Sequence, residues 1–146
     1  MRVYACRCFR KRGRVGRSQA PRGVAAVEFA IVAPIFFMLV IGIIEVGRAM
    51  MVQQVLINAS RVGARRAAML TSTQQAVVDS VSEYTAGVGV SHVTASVTPD
   101  PAAAAAGTAI TVVTSVDFAQ VSWMPTPWFM GGKVLTSSSV MRKEGF

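Results

Sequence analysis

With 146 residues, the chain is the size of one ordinary domain. Apolar residues make up 52% of it and charged ones only 15%, against roughly 25% charged in an average soluble domain. This excludes a charge-rich disordered chain and argues against a freely soluble protein.

The net charge of +8 is localised. Arg2, Arg7, Arg10, Lys11, Arg12, Arg14, Arg17 and Arg22 supply eight of the fifteen basic residues, in a stretch without a single acid. Residues 24–146 carry seven basic and seven acidic groups and are neutral. The excess therefore belongs to a leader and not to the fold. The same leader holds the only cysteines, Cys6 and Cys8. A bridge closing so small a loop would be strained. A structural zinc site takes about four ligands, and the sole histidine, His92, is far away in sequence. No metal site and no cofactor is expected.

Phe29 to Ile44 is an uncharged run of sixteen residues, FAIVAPIFFMLVIGII. As a helix it reaches only about 24 Å, short of a hydrocarbon core of roughly 30 Å. Including Val24–Val27, beyond Glu28, lengthens it to about 31 Å. The segment can therefore span a bilayer with Glu28 near one edge, and Pro34 is expected to bend it. Basic residues crowd its N-terminal flank, and Arg48 is the first one after it. Positive residues stay cytoplasmic, so the N-terminus is expected inside and the C-terminal part exported. Gly47-Arg48-Ala49 resembles a signal-peptidase site only loosely, since the arginine and the long span argue against one. Glu45 and Arg48, three apart, form a possible surface pair.

The helical period continues past the span. Val52, Leu56, Ala59, Gly63, Ala67 and Leu70 recur at three- and four-residue steps on one face. Ala59, Gly63 and Ala67 are spaced by four, which lets two backbones approach closely. That face meets either a neighbouring helix or the chain's own C-terminal domain, and the two are compatible. Ser72-Thr73-Gln74-Gln75 has the S-x-x-Q form of a capping box, leading into a helix over Gln74–Ala86 with Gly87 as its C-cap. The period then changes to two. Val93, Ala95 and Val97 alternate with polar residues. Ile110, Val112, Val116 and Phe118 line a second strand, and Val134–Arg142 makes a third. Pro99-Asp100-Pro101 and five alanines form a loop between the first two. The expected class is α+β: a long transmembrane helix continuing outside the membrane, then a short helix and a small antiparallel sheet of about three strands. The corresponding boundaries are a leader over 1–23, a transmembrane helix over 24–47, its extracytoplasmic continuation over 48–70 and a small domain over 71–146.

Catalytic constellations are lacking in the sequence. His92 stands alone on the polar face of a strand, and Asp79, Glu83, Asp100 and Asp117 show no spacing suited to paired acid–base work. Gly87-Val88-Gly89 lacks the third glycine of a phosphate loop. No enzyme is expected, and no small-molecule substrate. Topology signalling accounts for the basic leader, so no nucleic-acid partner is expected either. Trp123, Met124, Trp128, Phe129 and Met130 crowd one proline-containing loop, either as the lid of a small core or as a contact surface for another subunit.

The informative motif lies at the membrane boundary: Arg22-Gly23-Val24-Ala25-Ala26-Val27-Glu28-Phe29. It resembles a prepilin processing site, cut after glycine, with glutamate fifth in the product. Together with EFAIVAPIFFMLVIGIIEVGR and QQVLINASRVGARRAA, it is similar to the TadE-like family of minor pseudopilins of bacterial tight-adherence (Flp) pilus systems. The resemblance is close over about Gly23 to Ala68. It implies cleavage between Gly23 and Val24 by a prepilin peptidase. It also implies an assembly role for Glu28 and Phe29, with Glu28 meeting the N-terminal amine of a neighbouring subunit. Other pilin-like and pilus-assembly proteins and membrane lipid are the implied partners. The implied location is the inner membrane, single-pass, with a periplasmic C-terminal domain. The alternative is an uncleaved anchor that presents a periplasmic interaction domain, with Glu28 merely complementing the positive end of its own helix.

Overall fold

A computed structural model describes residues 22–123 and 130–145. The leader up to residue 21, with Cys6 and Cys8, lies outside the described residues, as do positions 124–129 with Met124, Trp128 and Phe129. The order of elements is α1 (Arg22–Ala68), α2 (Gln74–Gly87), β1 (Thr94–Thr98), β2 (Ala109–Asp117), α3 (Phe118–Val121) and β3 (Val134–Arg142). The class is α+β, as expected: a long apolar helix, a short helix and a three-stranded antiparallel sheet ordered β1-β2-β3.

Two compact units share the chain, residues 1–36 and 37–146. In the first, the described residues are the opening turns of α1, and the helix runs through Pro34. In the second, α1 acquires a buried face. Ala49, Val52, Val55 and Leu56 form one core cluster with Val90, Val116, Phe118 and Val121. Ala64 and Ala67 form another with Val77, Val97, Ile110 and Val112. The three-and-four spacing of these α1 residues is what places them on one side.

β2 is the central strand, and its inward row Ile110, Val112, Thr114 and Val116 is buried. Thr114 breaks the apolar row without leaving a polar group unpaired. Its hydroxyl donates to the Leu56 carbonyl of α1 at 3.1 Å and lies 3.4 Å from the Ser137 carbonyl. The edge strand β3 keeps the same alternation, but its inward residues Leu135, Ser137 and Ser139 are only half-buried.

Four local expectations shift by one or two residues. The N-cap of α2 is Thr73, whose hydroxyl accepts from the Ala76 N–H at 3.3 Å. Ser72 is buried, and its hydroxyl has no hydrogen-bond partner among the described residues. The glycine that ends α2 is Gly89, at φ +77°, and not Gly87. Gly89 N–H donates to the Ala86 carbonyl and Val90 N–H to the Thr85 carbonyl, the paired bonds of a Schellman motif. His92 is exposed, as expected, but sits at φ 61° in the turn before β1 and not on the strand. Phe118 does not extend β2, because the Asp117 carboxylate accepts from the Ala119 N–H at 3.0 Å and starts the α3 turn. Phe118 is still fully buried.

Candidate functional site

Helix α1 begins at Arg22, so Gly23, Val24, Glu28 and Phe29 all lie in its opening turns. All four are exposed, Phe29 to 70%. A Cβ built on Gly23 would meet nothing within 4 Å, and its φ is not left-handed. Nothing inside the chain therefore calls for glycine there. Val24 and Glu28 are one turn apart, the spacing that brings side chains onto the same face. Glu28 is beyond the first turn of the helix, where the attraction of an acid to the helix end has largely decayed.

Between Val24 and Ile44, twelve large apolar side chains are exposed. Each forfeits about 1.5–3 kcal/mol when left in water, and together that exceeds the whole net stability of a domain, about 5–15 kcal/mol. Water is the wrong solvent for this surface. Gly23–Ala68 is long and apolar enough to cross a membrane, and its most apolar window is entirely unburied. Length, composition and exposure thus agree on membrane anchoring.

At the far end of the apolar run the side chains are tied together. Glu45 is 2% exposed and does not lie at the surface. Arg48 donates from Nε to the Val121 carbonyl at 3.0 Å, and its guanidinium carbon lies 5.5 Å from the centre of the Trp123 ring. Trp123 is 77% exposed. The pairing of Arg48 with Trp123 was not legible from the sequence, because it depends on how α3 and the residues after it return to α1.

The small-residue face is occupied within the chain. Ala59, Gly63 and Ala67 are buried. A Cβ on Gly63 would stand 2.8 Å from Val81 Cγ2, 3.0 Å from Val112 Cγ1 and 3.4 Å from Val77 Cγ1. Glycine is needed here so that α2 and β2 can approach the α1 backbone. In the structure this stretch of α1 lies on the chain's own domain.

The remaining acids mostly serve local structure. Asp79 accepts from Gln75 Nε2 at 2.8 Å, Asp100 from the Ala102 N–H at 3.0 Å, and Asp117 starts α3. Lys143 is buried, with its Nζ donating to the Pro101 carbonyl at 2.7 Å. Among the described residues no group of three or more His, Cys, Asp or Glu is placed to hold a metal ion.

The comparisons fall on the same end of the chain. Residues 23–65 match the family model of TadE-like protein. No curated protein and no solved structure matches the chain.

Proposed function

We propose that this chain, whose residues 23–65 form a TadE-like segment, is a minor pseudopilin-like structural component of tight-adherence (Flp) pilus assembly. It is processed after Gly23 and acts through its apolar helix on other pilin-like subunits. The observation that carries the reading is the match beginning at Gly23, joined to an exposed Gly-x-x-x-x-Glu-Phe at the head of an apolar helix.

The residues divide the work as follows. The basic leader holds Gly23 at the cytoplasmic face, where a membrane-embedded prepilin peptidase reaches it. The scissile bond lies in the first turn of α1, so the peptidase must unwind that turn. A helix end frays at little cost, and glycine fits an extended backbone into a narrow cleft. Cleavage leaves a cationic amine on Val24, one turn from Glu28. Near the headgroups Glu28 mostly avoids the cost of an acid at mid-bilayer, about 2.5–3.5 kcal/mol, but the cost returns when the helix is drawn into a packed filament core. The amine of a neighbouring subunit offsets that cost when helices pack side by side. The packing surface is the exposed run Val24–Ile44, since the face bearing Ala59, Gly63 and Ala67 is already covered.

A second reading is an uncleaved single-pass anchor presenting a periplasmic interaction domain. It is favoured by the uninterrupted helix through Gly23–Val24, which hides the scissile bond in regular structure. N-terminal sequencing of the protein from cells with and without the peptidase separates the two. A mature chain beginning at Val24 supports processing. One retaining the leader in the presence of the peptidase refutes it.

A further inference from the structure

Arg48 of α1 reaches the segment that follows α3 and meets Trp123 there. Trp123 is the most exposed of the large apolar side chains described, at 77%. Yet it is not left loose. The neighbouring Val121 carbonyl takes the Arg48 Nε–H, and the Arg48 guanidinium lies against the indole. An arginine on α1 thus fixes the level along the helix at which the indole is displayed.

That level is specific. Arg48 follows Ile44, the last residue of the uncharged run, by four positions, about 6 Å of helix. The polar layer of each leaflet is about 5–7 Å thick, from a core of roughly 30 Å in a bilayer of ~40–45 Å. Leu39, Ile43, Ile44 and Val46, below Arg48 on the same helix, are exposed and apolar. An indole has an apolar body and one N–H donor, and it partitions to this layer, while a guanidinium pairs there with lipid phosphate.

We infer that Trp123, held by Arg48, is an interfacial anchor that seats the C-terminal domain on the phospholipid headgroup layer at the far end of the span. The inference rests on α1 crossing the membrane, and it adds a second point of contact. A span alone sets its depth and tilt only loosely, and with them the height of the unit packed on its distal half. A tethered indole at the headgroup level narrows both.

The test uses the full chain reconstituted in phosphatidylethanolamine–phosphatidylglycerol vesicles whose acyl chains are brominated. Of the two tryptophans, Trp128→Phe leaves Trp123 as the sole emitter. The expected result is that lipid brominated near the headgroup removes most of the Trp123 emission and that aqueous acrylamide quenches it weakly. A parallel variant, Trp123→Phe/Trp128→Phe/Leu39→Trp, reports on the span and should be quenched best by bromine deep in the chains. If the Leu39→Trp indole is quenched and Trp123 is not, the anchor is wrong and the span stands. If neither is quenched, both are wrong. Arg48→Gln in the Trp128→Phe background should raise acrylamide quenching of Trp123, and no change would refute the positioning part of Arg48.

Discussion

Gly63→Ala tests whether the small-residue face is truly filled from within the chain. Two effects oppose each other. Alanine in a helix interior is favoured over glycine by about 0.8–1.0 kcal/mol. Against this, the new methyl would stand 2.8 and 3.0 Å from methyls of Val81 and Val112. Those methyls belong to β-branched side chains that are stiff about χ1, so they cannot swing aside as the end of a lysine could. Overpacking of this kind costs about 1–3 kcal/mol. The clash should win, with a net loss of about 1 kcal/mol. Gly87→Ala is the control, because its Cβ would meet nothing within 4 Å and its φ is not left-handed. Urea titration of the full chain in mild detergent, followed by near-ultraviolet circular dichroism, measures the difference. With a slope of about 1–3 kcal/mol/M, the midpoint of Gly63→Ala should fall by on the order of 0.5 M while that of Gly87→Ala stays level or rises. If Gly63→Ala is as stable as the parent, the valines do not lie against α1, and the face is open to a neighbouring helix after all.

Three further outcomes are expected. Thr73→Ala should cost about 1 kcal/mol through the lost cap, whereas Ser72→Ala, which removes a buried hydroxyl without a described partner, should be neutral or stabilising in the same titration. Lys143→Ala should destabilise by about 1.5–3 kcal/mol, the range for a hydrogen bond from a charged group, and should speed hydrogen exchange in the Pro101–Ala104 loop that it holds. Glu28→Ala and Glu28→Gln should both insert and be cleaved after Gly23, yet fail to support surface pili, because a neighbour's buried ammonium then lacks its anion, at about 3–5 kcal/mol. Normal piliation in cells carrying only these variants would reduce Glu28 to an ordinary boundary charge.

The parts legible in the sequence are those that one element decides by itself. The apolar run from Phe29 to Ile44 announces its helix, and the stretch Val134–Arg142 is a strand with the bounds expected of it. What could not be read depends on neighbours distant in sequence. Thr114 interrupts the apolar row of β2, and only the Leu56 carbonyl across the interface makes it at home there. Gly87 is the first glycine after the helical pattern of α2, but the backbone turns left-handed two residues later, at Gly89. At the candidate site, Gly23, Val24, Glu28 and Phe29 stand out through the resemblance of their motif to a prepilin processing site. Arg48 and Trp123, 75 positions apart in the chain, carry no spacing that could have paired them.

The end of α1 is closed from far along the chain. The Glu144 N–H donates to the Ala68 carbonyl at 2.9 Å, the Lys143 N–H to the Thr108 carbonyl at 2.8 Å, and β3 pairs along the whole of β2. Synthesis runs from the N-terminus, so the distal half of α1 is made well before residues 134–144 can reach it. Until then the buried row of β2 has only one neighbouring strand, and the last carbonyls of α1 face water. The unit therefore closes only when its last strand arrives. Until then the half-made chain is open to proteases and chaperones, in proportion to how slowly that final strand comes.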